Sequence, residues 1–378
     1  MDDNKSSKNF KNALQQSAAR LVSDNNIIDM YKLKITKTSD IIEEPQEWLW
    51  DQYIPLHTCT LFAGIGGIGK SQLLIYLASV VSTGLPFGAG GQEHTLQSGS
   101  VLILSAEDSY KTSIVPRLTA CGANKDKVFI IESAVHVDLD RDERFVALDR
   151  DLALLKRHII ELGDVKLIFI DPVTAYLGKI QEHKACEVRD LILKLNKLAE
   201  EFNLSIILNT HLRKKSSGES ATSAADEVRG SGAWTGTVRQ AFIVAKDHED
   251  PKRIYFLNMK RNIGEEMTGF SYHIKSIEYT KNERLIKTSK IEWDGVPAGI
   301  SADEAVDKKS LEEAKDLIKG ALAFGSKTVE HMRRIAENED ISLATLKRAR
   351  HSLENDGIKV IIEASQTDKR KQIWYIGA

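Results

Sequence analysis

Gly64-Ile65-Gly66-Gly67-Ile68-Gly69-Lys70-Ser71 decides the fold of this chain. The stretch fits the Gly-x4-Gly-Lys-Ser pattern of a phosphate-binding loop, in which glycines let successive backbone N–H groups turn inward at a helix N-terminus. Its context agrees. Thr58–Ala63 reads as a short buried strand entering the loop, and Ser71–Ala78 as a helix leaving it. Gly64, Gly66, Gly67, Ile68, Gly69, Lys70, Ser71 and Gln72 are therefore the expected cradle for a nucleoside triphosphate. Lys70 is placed to face the β- and γ-phosphates, and the Ser71 hydroxyl to meet Mg²⁺.

The rest of the chain is consistent with a nucleotide-binding α/β protein. Its 378 residues suffice for one large domain and a smaller one. Hydrophobic residues make up 42%, enough for an ordinary core, and no apolar run reaches the length of a membrane span. The polar N-terminus does not read as a signal peptide. Cys59, Cys121 and Cys186 have no metal or redox spacing, which fits reduced thiols in a cytoplasmic protein. A net charge of −2 excludes a global cationic field, so any nucleic-acid contact must use local clusters.

Four regions follow from the patterning: an N-terminal extension (1–45), an ATPase-like core (46–294), a linker (295–309) and a C-terminal unit (310–378). The extension is polar, with a weakly amphipathic stretch near 10–22. Trp48, Trp50 and Tyr53 are expected to pack a sheet edge or a neighbouring subunit, with base stacking as the alternative. Strands are predicted at 58–63, 100–105, 128–131, 166–170, 205–210, 239–245 and 253–259, and helices at 70–83, 109–121, 144–162 and 185–202. The alternation implies a mainly parallel sheet covered on both faces. Strands at 270–277 and 285–292 are expected as hairpins added at one edge.

Val165–Asp171 reads as a strand ending in a carboxylate, and Asp171 is expected in the Mg²⁺ shell with Ser71. Pro172 follows it, so a water-activating carboxylate must come from elsewhere. Glu107, at the end of the strand Val101–Ser105, is the candidate general base, with Asp108 expected to cap the next helix. His211 ends the strand 205–210 and is expected to sense the γ-phosphate. The polar, basic loop 213–223 follows it, carrying Lys214 and Lys215.

Gly64–Ser71, Ser105-Ala106-Glu107-Asp108, Ile170-Asp171-Pro172, Asn209-Thr210-His211 and Arg229-Gly230-Ser231-Gly232-Ala233-Trp234 together resemble the RecA-like hexameric ATPases, in particular the RepA-type helicases of plasmids and phages. The resemblance covers roughly residues 45–292. It implies ATP and Mg²⁺ bound between subunits of a homo-oligomeric ring, with catalytic roles for Lys70, Glu107 and His211. Arg239 matches the arginine finger contributed to the neighbour's site. Lys260 and Asn262 match a second interface element near the neighbour's phosphates. It also implies that Lys214 and Lys215 face DNA in a central channel.

The C-terminal unit reads as helices at 310–322, 327–338 and 343–355, the last capped by Ser342, followed by a hairpin at 359–363 and 372–376. This pattern resembles a winged-helix module. Lys347 and Arg348 on the third helix, and Lys369, Arg370 and Lys371 at the hairpin tip, are the candidate duplex-DNA contacts. The basic and acidic residues of this unit nearly balance, so a protein-binding role stays open. Nothing in the sequence links these cations to the nucleotide site. The expected function is a DNA motor of a plasmid, phage or mobile element, such as a replicative helicase. A recombination or repair ATPase and an ATP-gated DNA-binding regulator are the alternatives.

Overall fold

The structure, a computed structural model, describes residues 34–89, 98–136, 139–213, 223–230, 232–247, 250–264, 267, 269–306, 308–323, 325–339, 341, 343–364 and 372–377. The chain divides into compact units at Gln46 and Glu47. The described part of the first holds one 3₁₀ turn, Thr38–Asp40. The amphipathic stretch near 10–22 lies outside the described residues.

The second unit opens with a small hairpin, β1 (Trp48–Trp50) and β2 (Ile54–Pro55), that the sequence did not announce. β3 (Cys59–Gly64) then feeds helix α1 (Lys70–Thr83). β4 (Ser100–Ser105) runs through a π turn into α2 (Val115–Ala120), and β5 (Val128–Ile130) follows. A second unannounced hairpin pairs β6 (Ala134–His136) with β7 (Leu139–Arg144). Next come α3 (Leu152–Leu162), β8 (Val165–Asp171), α4 (Ala185–Phe202), β9 (Ser205–His211), α5 (Ala233–Thr237), β10 (Gln240–Lys246), β11 (Arg253–Arg261), β12 (Phe270–Lys281) and β13 (Arg284–Pro297).

Nine strands form one sheet in the order β13-β12-β11-β10-β3-β9-β8-β4-β5. β10, β3, β9, β8, β4 and β5 are parallel, and β11 to β13 add antiparallel pairs at one edge. This is the mixed α/β architecture expected, with a mainly parallel sheet and the phosphate loop after β3. Alternate residues of each central strand feed opposite cores, as a sheet covered on both faces requires. Phe62, Val101, Ile103, Leu167 and Phe169 face the core under α1, whereas Leu61, Ala63, Leu102, Leu104, Ile168 and Ile170 face the one under α4. No helix among the described residues is long and apolar enough to cross a membrane.

The aromatics before the phosphate loop pack their own sheet edge. Trp50 is buried and stacks on Phe87 and Phe256, with ring centroids 4.7 and 5.8 Å away, leaving no face for a base. The predicted helix 144–162 is corrected: it begins only at Leu152. Asp151, almost fully buried, accepts both terminal nitrogens of Arg144 at 2.6 Å and the Ala147 N–H at 2.8 Å, fixing 145–151 as a loop. These hydrogen bonds, from Arg144 above all, hold the Asp151 carboxyl below its ordinary pKa.

The linker is also corrected. β13 runs to Pro297, and residues 302–306 form a helix, α6 (Ala302–Val306). Ser301 and Glu304 make a capping box: Ser301 Oγ accepts the Glu304 N–H at 3.2 Å, while the Glu304 carboxylate accepts the Ser301 N–H at 2.8 Å. Beyond it lie α7 (Lys308–Leu322), β14 (Lys327–Thr328), α8 (Val329–Asn338), α9 (Leu343–Asn355), β15 (Val360–Ala364) and β16 (Gln372–Ile376). The helix expected at 327–338 starts two residues late, because Thr328 caps it by accepting the His331 N–H at 3.1 Å. Lys327 and Thr328 instead form β14, in a three-stranded sheet ordered β14-β16-β15. Ser342 lies outside the described residues.

Candidate active site

Four parallel strands deliver the polar groups to one edge of the sheet. β9 lies between β3 and β8, and β8 pairs with β4, so the C-terminal ends of β3, β9, β8 and β4 stand side by side. Loops leaving such ends are where open α/β sheets bind ligands.

The phosphate loop is built by backbone constraint. Gly69 is the N-cap of α1 at φ +100°, and Gly67 has φ +72°. A Cβ at Gly69 would lie 2.8 Å from Ile274 Cδ1, and one at Gly64 2.5 Å from the Val244 carbonyl oxygen. Only glycine fits either position. Ile68 is buried in the core under α1, and Gly66 is exposed with open space around it. Gln72 departs from expectation. It is buried, and its side chain exchanges hydrogen bonds with Ser289 of β13, at 2.8 Å to the carbonyl and 3.0 Å from the hydroxyl. Its amide therefore braces α1 against β13 instead of reaching the nucleotide.

Lys70 is 4% exposed, and its Nζ donates to the carbonyls of Gly64 and Ile65, both at 2.9 Å. Burial pulls its pKa down to about 8 against the opposing pull of Asp171 and Glu107. Asp171 is equally buried and is hydrogen-bonded by Ser71 and by the Asn209 amide. Burial raises its pKa, with those bonds and Lys70 opposing. Asn209 was visible only as part of a motif; its role in holding Asp171 needed the β8–β9 pairing. Ser71 and Asp171 offer a pair of hard oxygens of the kind Mg²⁺ takes. Among the described residues, no group of three or more His, Cys, Asp and Glu side chains is arranged to hold a metal by itself. A cation here would draw its remaining ligands from phosphate and water.

His211 ties the site together. Its Nδ1 lies 3.4 Å from Lys70 Nζ, and its Nε2 lies 3.5 Å from Glu107 Oε1. The ring thus stands between the Lys70 amine and the Glu107 carboxylate. Glu107 is held near Asp171 by the Ala106 N–H, which donates to the Asp171 carbonyl at 3.0 Å. Its own side chain is 62% exposed and open to water. Asp108 is a correction. It anchors the next helix from the side, accepting from Ser113 at 2.9 Å and Arg117 at 2.8 Å, while Ser109 caps it.

Arg239, Lys260 and Asn262 gather elsewhere. The Asn262 N–H donates to the Arg239 carbonyl at 2.9 Å, and Lys260 Nζ donates to the carbonyls of Thr235 and Gly236 at 2.7 and 3.1 Å. Burial and then the Arg239 charge lower the Lys260 pKa. The register pairs Gln240 with Thr60 and Ile243 with Ala63, so Arg239 is level with Cys59, five residues below Gly64. At ~3.3 Å per residue that is about 16 Å down the sheet from the phosphate loop.

In the C-terminal unit Lys347 is exposed. Arg348 is half-buried, donating to the Glu304 carbonyl at 3.1 Å and to Thr345 Oγ1 at 3.2 Å. It is spent on α6 and its own helix, contrary to a free phosphate contact. Lys214, Lys215, Lys369, Arg370 and Lys371 lie outside the described residues.

A solved structure described as an ATPase domain is 12% identical, with 57% of this chain and 81% of that chain covered and a TM-score of 0.42. No curated protein sequence matches the chain. Residues 32–217 match the family model of an AAA domain, a similarity that agrees with the phosphate loop and supports an ATPase.

Proposed function

We propose that the chain is an ATP-hydrolysing, ring-forming DNA motor: a replicative helicase or helicase-like protein of a plasmid, phage or mobile element. The observation that carries this reading is the separation of two polar clusters along the β3–β10 pair. Lys70, Ser71, Asp171, His211 and Glu107 meet at one end, and Arg239, Lys260 and Asn262 at the other. With Arg239 about 16 Å down the sheet from its own phosphate loop, a finger role for it would be exerted on a neighbour's.

ATP phosphates would take the Lys70 ammonium from the Gly64 and Ile65 carbonyls. Ser71 and Asp171 would hold Mg²⁺, which would help to neutralise charge developing on the phosphates. Glu107 would orient and deprotonate the attacking water, and His211 would register whether the γ-phosphate is present. Arg239 of the adjacent subunit would stabilise charge in the transition state. The strand order β14-β16-β15 behind α7, α8 and α9 supports the winged-helix reading, with Lys347 and the hairpin-tip residues Lys369, Arg370 and Lys371 on duplex DNA. Lys214 and Lys215 would contact the translocating strand.

Steady-state ATPase with and without single-stranded and duplex DNA tests the proposal, together with electron micrographs of the protein with and without ATP. DNA-stimulated turnover from ring-shaped particles is expected. Turnover indifferent to both DNA forms would favour an ATP-gated regulator instead.

A further inference from the structure

The C-terminal unit is tied to the strand that ends in His211. From that residue the chain continues to Arg213, and its return stretch, Ser223–Arg229, is laced back against it. The Arg213 N–H donates to the Glu227 carbonyl at 2.7 Å, and the Arg229 N–H to the His211 carbonyl at 3.0 Å; Leu212 and Val228 form a bridge. The same return stretch is held by α6, because the Ala224 N–H donates to the Asp303 carboxylate at 2.5 Å. Ala302 and Ala305 of α6 are buried in one cluster with Ala224, Ile243, Ala245 and Leu257. At the far end of α6 the Glu304 carbonyl accepts from Arg348 of α9, a cation at a helix C-terminus.

The cationic face of α9 meanwhile borders the ATPase sheet. Lys347, Arg348 and His351 line one wall of a cleft of about 270 Å³, whose other wall carries Asp247, Arg253 and Tyr255 of the ATPase sheet. Arg253 is already paired with Asp247 at 3.1 Å and Asp294 at 3.7 Å, so this cleft is no ready-made anion site. Lys347 and His351 are exposed at its mouth, whereas Arg348 is held by α6.

We propose that α6 is a strut through which nucleotide at the His211 end of β9 alters how the cationic face of α9 is held beside the ATPase sheet, and so its affinity for duplex DNA. The inference rests on the ATPase reading above and adds a regulated surface to it. A shift of His211 displaces the segment laced to it, which moves or releases Ala224 from Asp303 and with it α6 and Arg348. Coupling of this kind is reciprocal, so duplex DNA on α9 must alter nucleotide affinity by the same factor.

Asp303 is exposed, so Asp303→Ala removes the tie to Ala224 without opening a cavity, and Asp303→Asn keeps an acceptor there. Hydrogen exchange over 302–306 and 343–355 is measured with ADP, with a non-hydrolysable ATP analogue and without nucleotide. Duplex affinity is measured under the same three conditions. In the unaltered chain, exchange over 343–355 and duplex affinity should each change about fivefold with nucleotide. Asp303→Ala should lose the nucleotide dependence, and Asp303→Asn should keep it. Normal nucleotide binding with no change over either segment overturns the strut alone. So does Asp303→Ala behaving as the unaltered chain. Failure to bind nucleotide at all would overturn the ATPase reading and the strut with it.

Discussion

The two ends of the β3–β10 strand pair differ in how complete they are. At the upper end Lys70 and Asp171 are almost fully buried, each has partners within the chain, and His211 already spans the cation and the Glu107 carboxylate. At the lower end Arg239 and Asn262 are exposed, and the side chain of Arg239 projects from a short connection between α5 and β10. Burying charge is expensive and is tolerated where a site must be preorganised. Leaving an arginine at the surface costs little, and such a residue gains importance only when another surface meets it. The asymmetry is what the proposed shared site would need: one half prebuilt, the other half presented.

The most severe way to break this comparison is to remove the presented half. Arg239→Ala should leave nucleotide affinity near normal and lower kcat by about 10³–10⁵, the usual worth of an arginine finger. Mixing Arg239→Ala with Lys70→Ala subunits should restore part of the activity, since some interfaces then pair an intact loop with an intact finger. ATPase across a mixing series reads this directly. No recovery despite confirmed subunit exchange would mean that the upper cluster is a complete site.

Within the prebuilt half, Glu107→Gln should retain nucleotide binding and lose about 10²–10⁴ in turnover, the contribution of a general base. Equilibrium binding and steady-state ATPase on the same preparation separate the two effects. Near-normal turnover would leave Glu107 as the partner of His211 only.

A smaller and more diagnostic effect comes from pH. Burial lowers the Lys70 pKa from 10.5 to about 8, whereas bound phosphates would favour its charged form. Above pH 8 nucleotide binding must therefore take up a proton, and affinity should fall by up to about tenfold per pH unit. For stability the sign is opposite. The unfolded chain keeps this proton to about pH 10.4, so between pH 8 and that value it binds more protons than the folded chain. This group then makes folding more favourable as pH rises through that window. Nucleotide titrations from pH 7 to 10 test the first statement, with Lys70→Arg as the control expected to remove the slope. A flat profile in the unaltered chain would refute the dehydrated-lysine account.

What the sequence made legible was whatever depends on local pattern. Gly64–Ser71, the strand ends at Asp171 and His211, and helices 70–83 and 185–202 all carry their signals within a few residues. What escaped depends on contacts distant in the chain. The late start of α3 follows from Arg144 gripping Asp151, and the Gln72 side chain is claimed by Ser289, 217 residues away. Asn209 became part of the site only through its bond to Asp171, set by the pairing of β8 with β9. The linker helix was hidden because its Ser301–Glu304 capping box spans a five-residue helix, too short for any periodicity to register.

The mildest test falls on Lys260, which belongs to both descriptions of the lower end. As a structural residue it donates to the last carbonyls of α5, at Thr235 and Gly236, a contact worth about 0.5–1.5 kcal/mol. As a presented residue it would also reach a neighbour's phosphates, but with its ammonium already shared it should add less than Arg239. Lys260→Met should therefore lower stability in urea by about that amount and reduce turnover about tenfold, one weakened charge-assisted bond in the transition state. Chemical denaturation and ATPase are measured on the same variant, with nucleotide affinity as a check that the phosphate loop is intact. Loss of stability with unchanged turnover would confine Lys260 to holding α5. The presented half of the site would then consist of Arg239 supported by the Asn262 backbone.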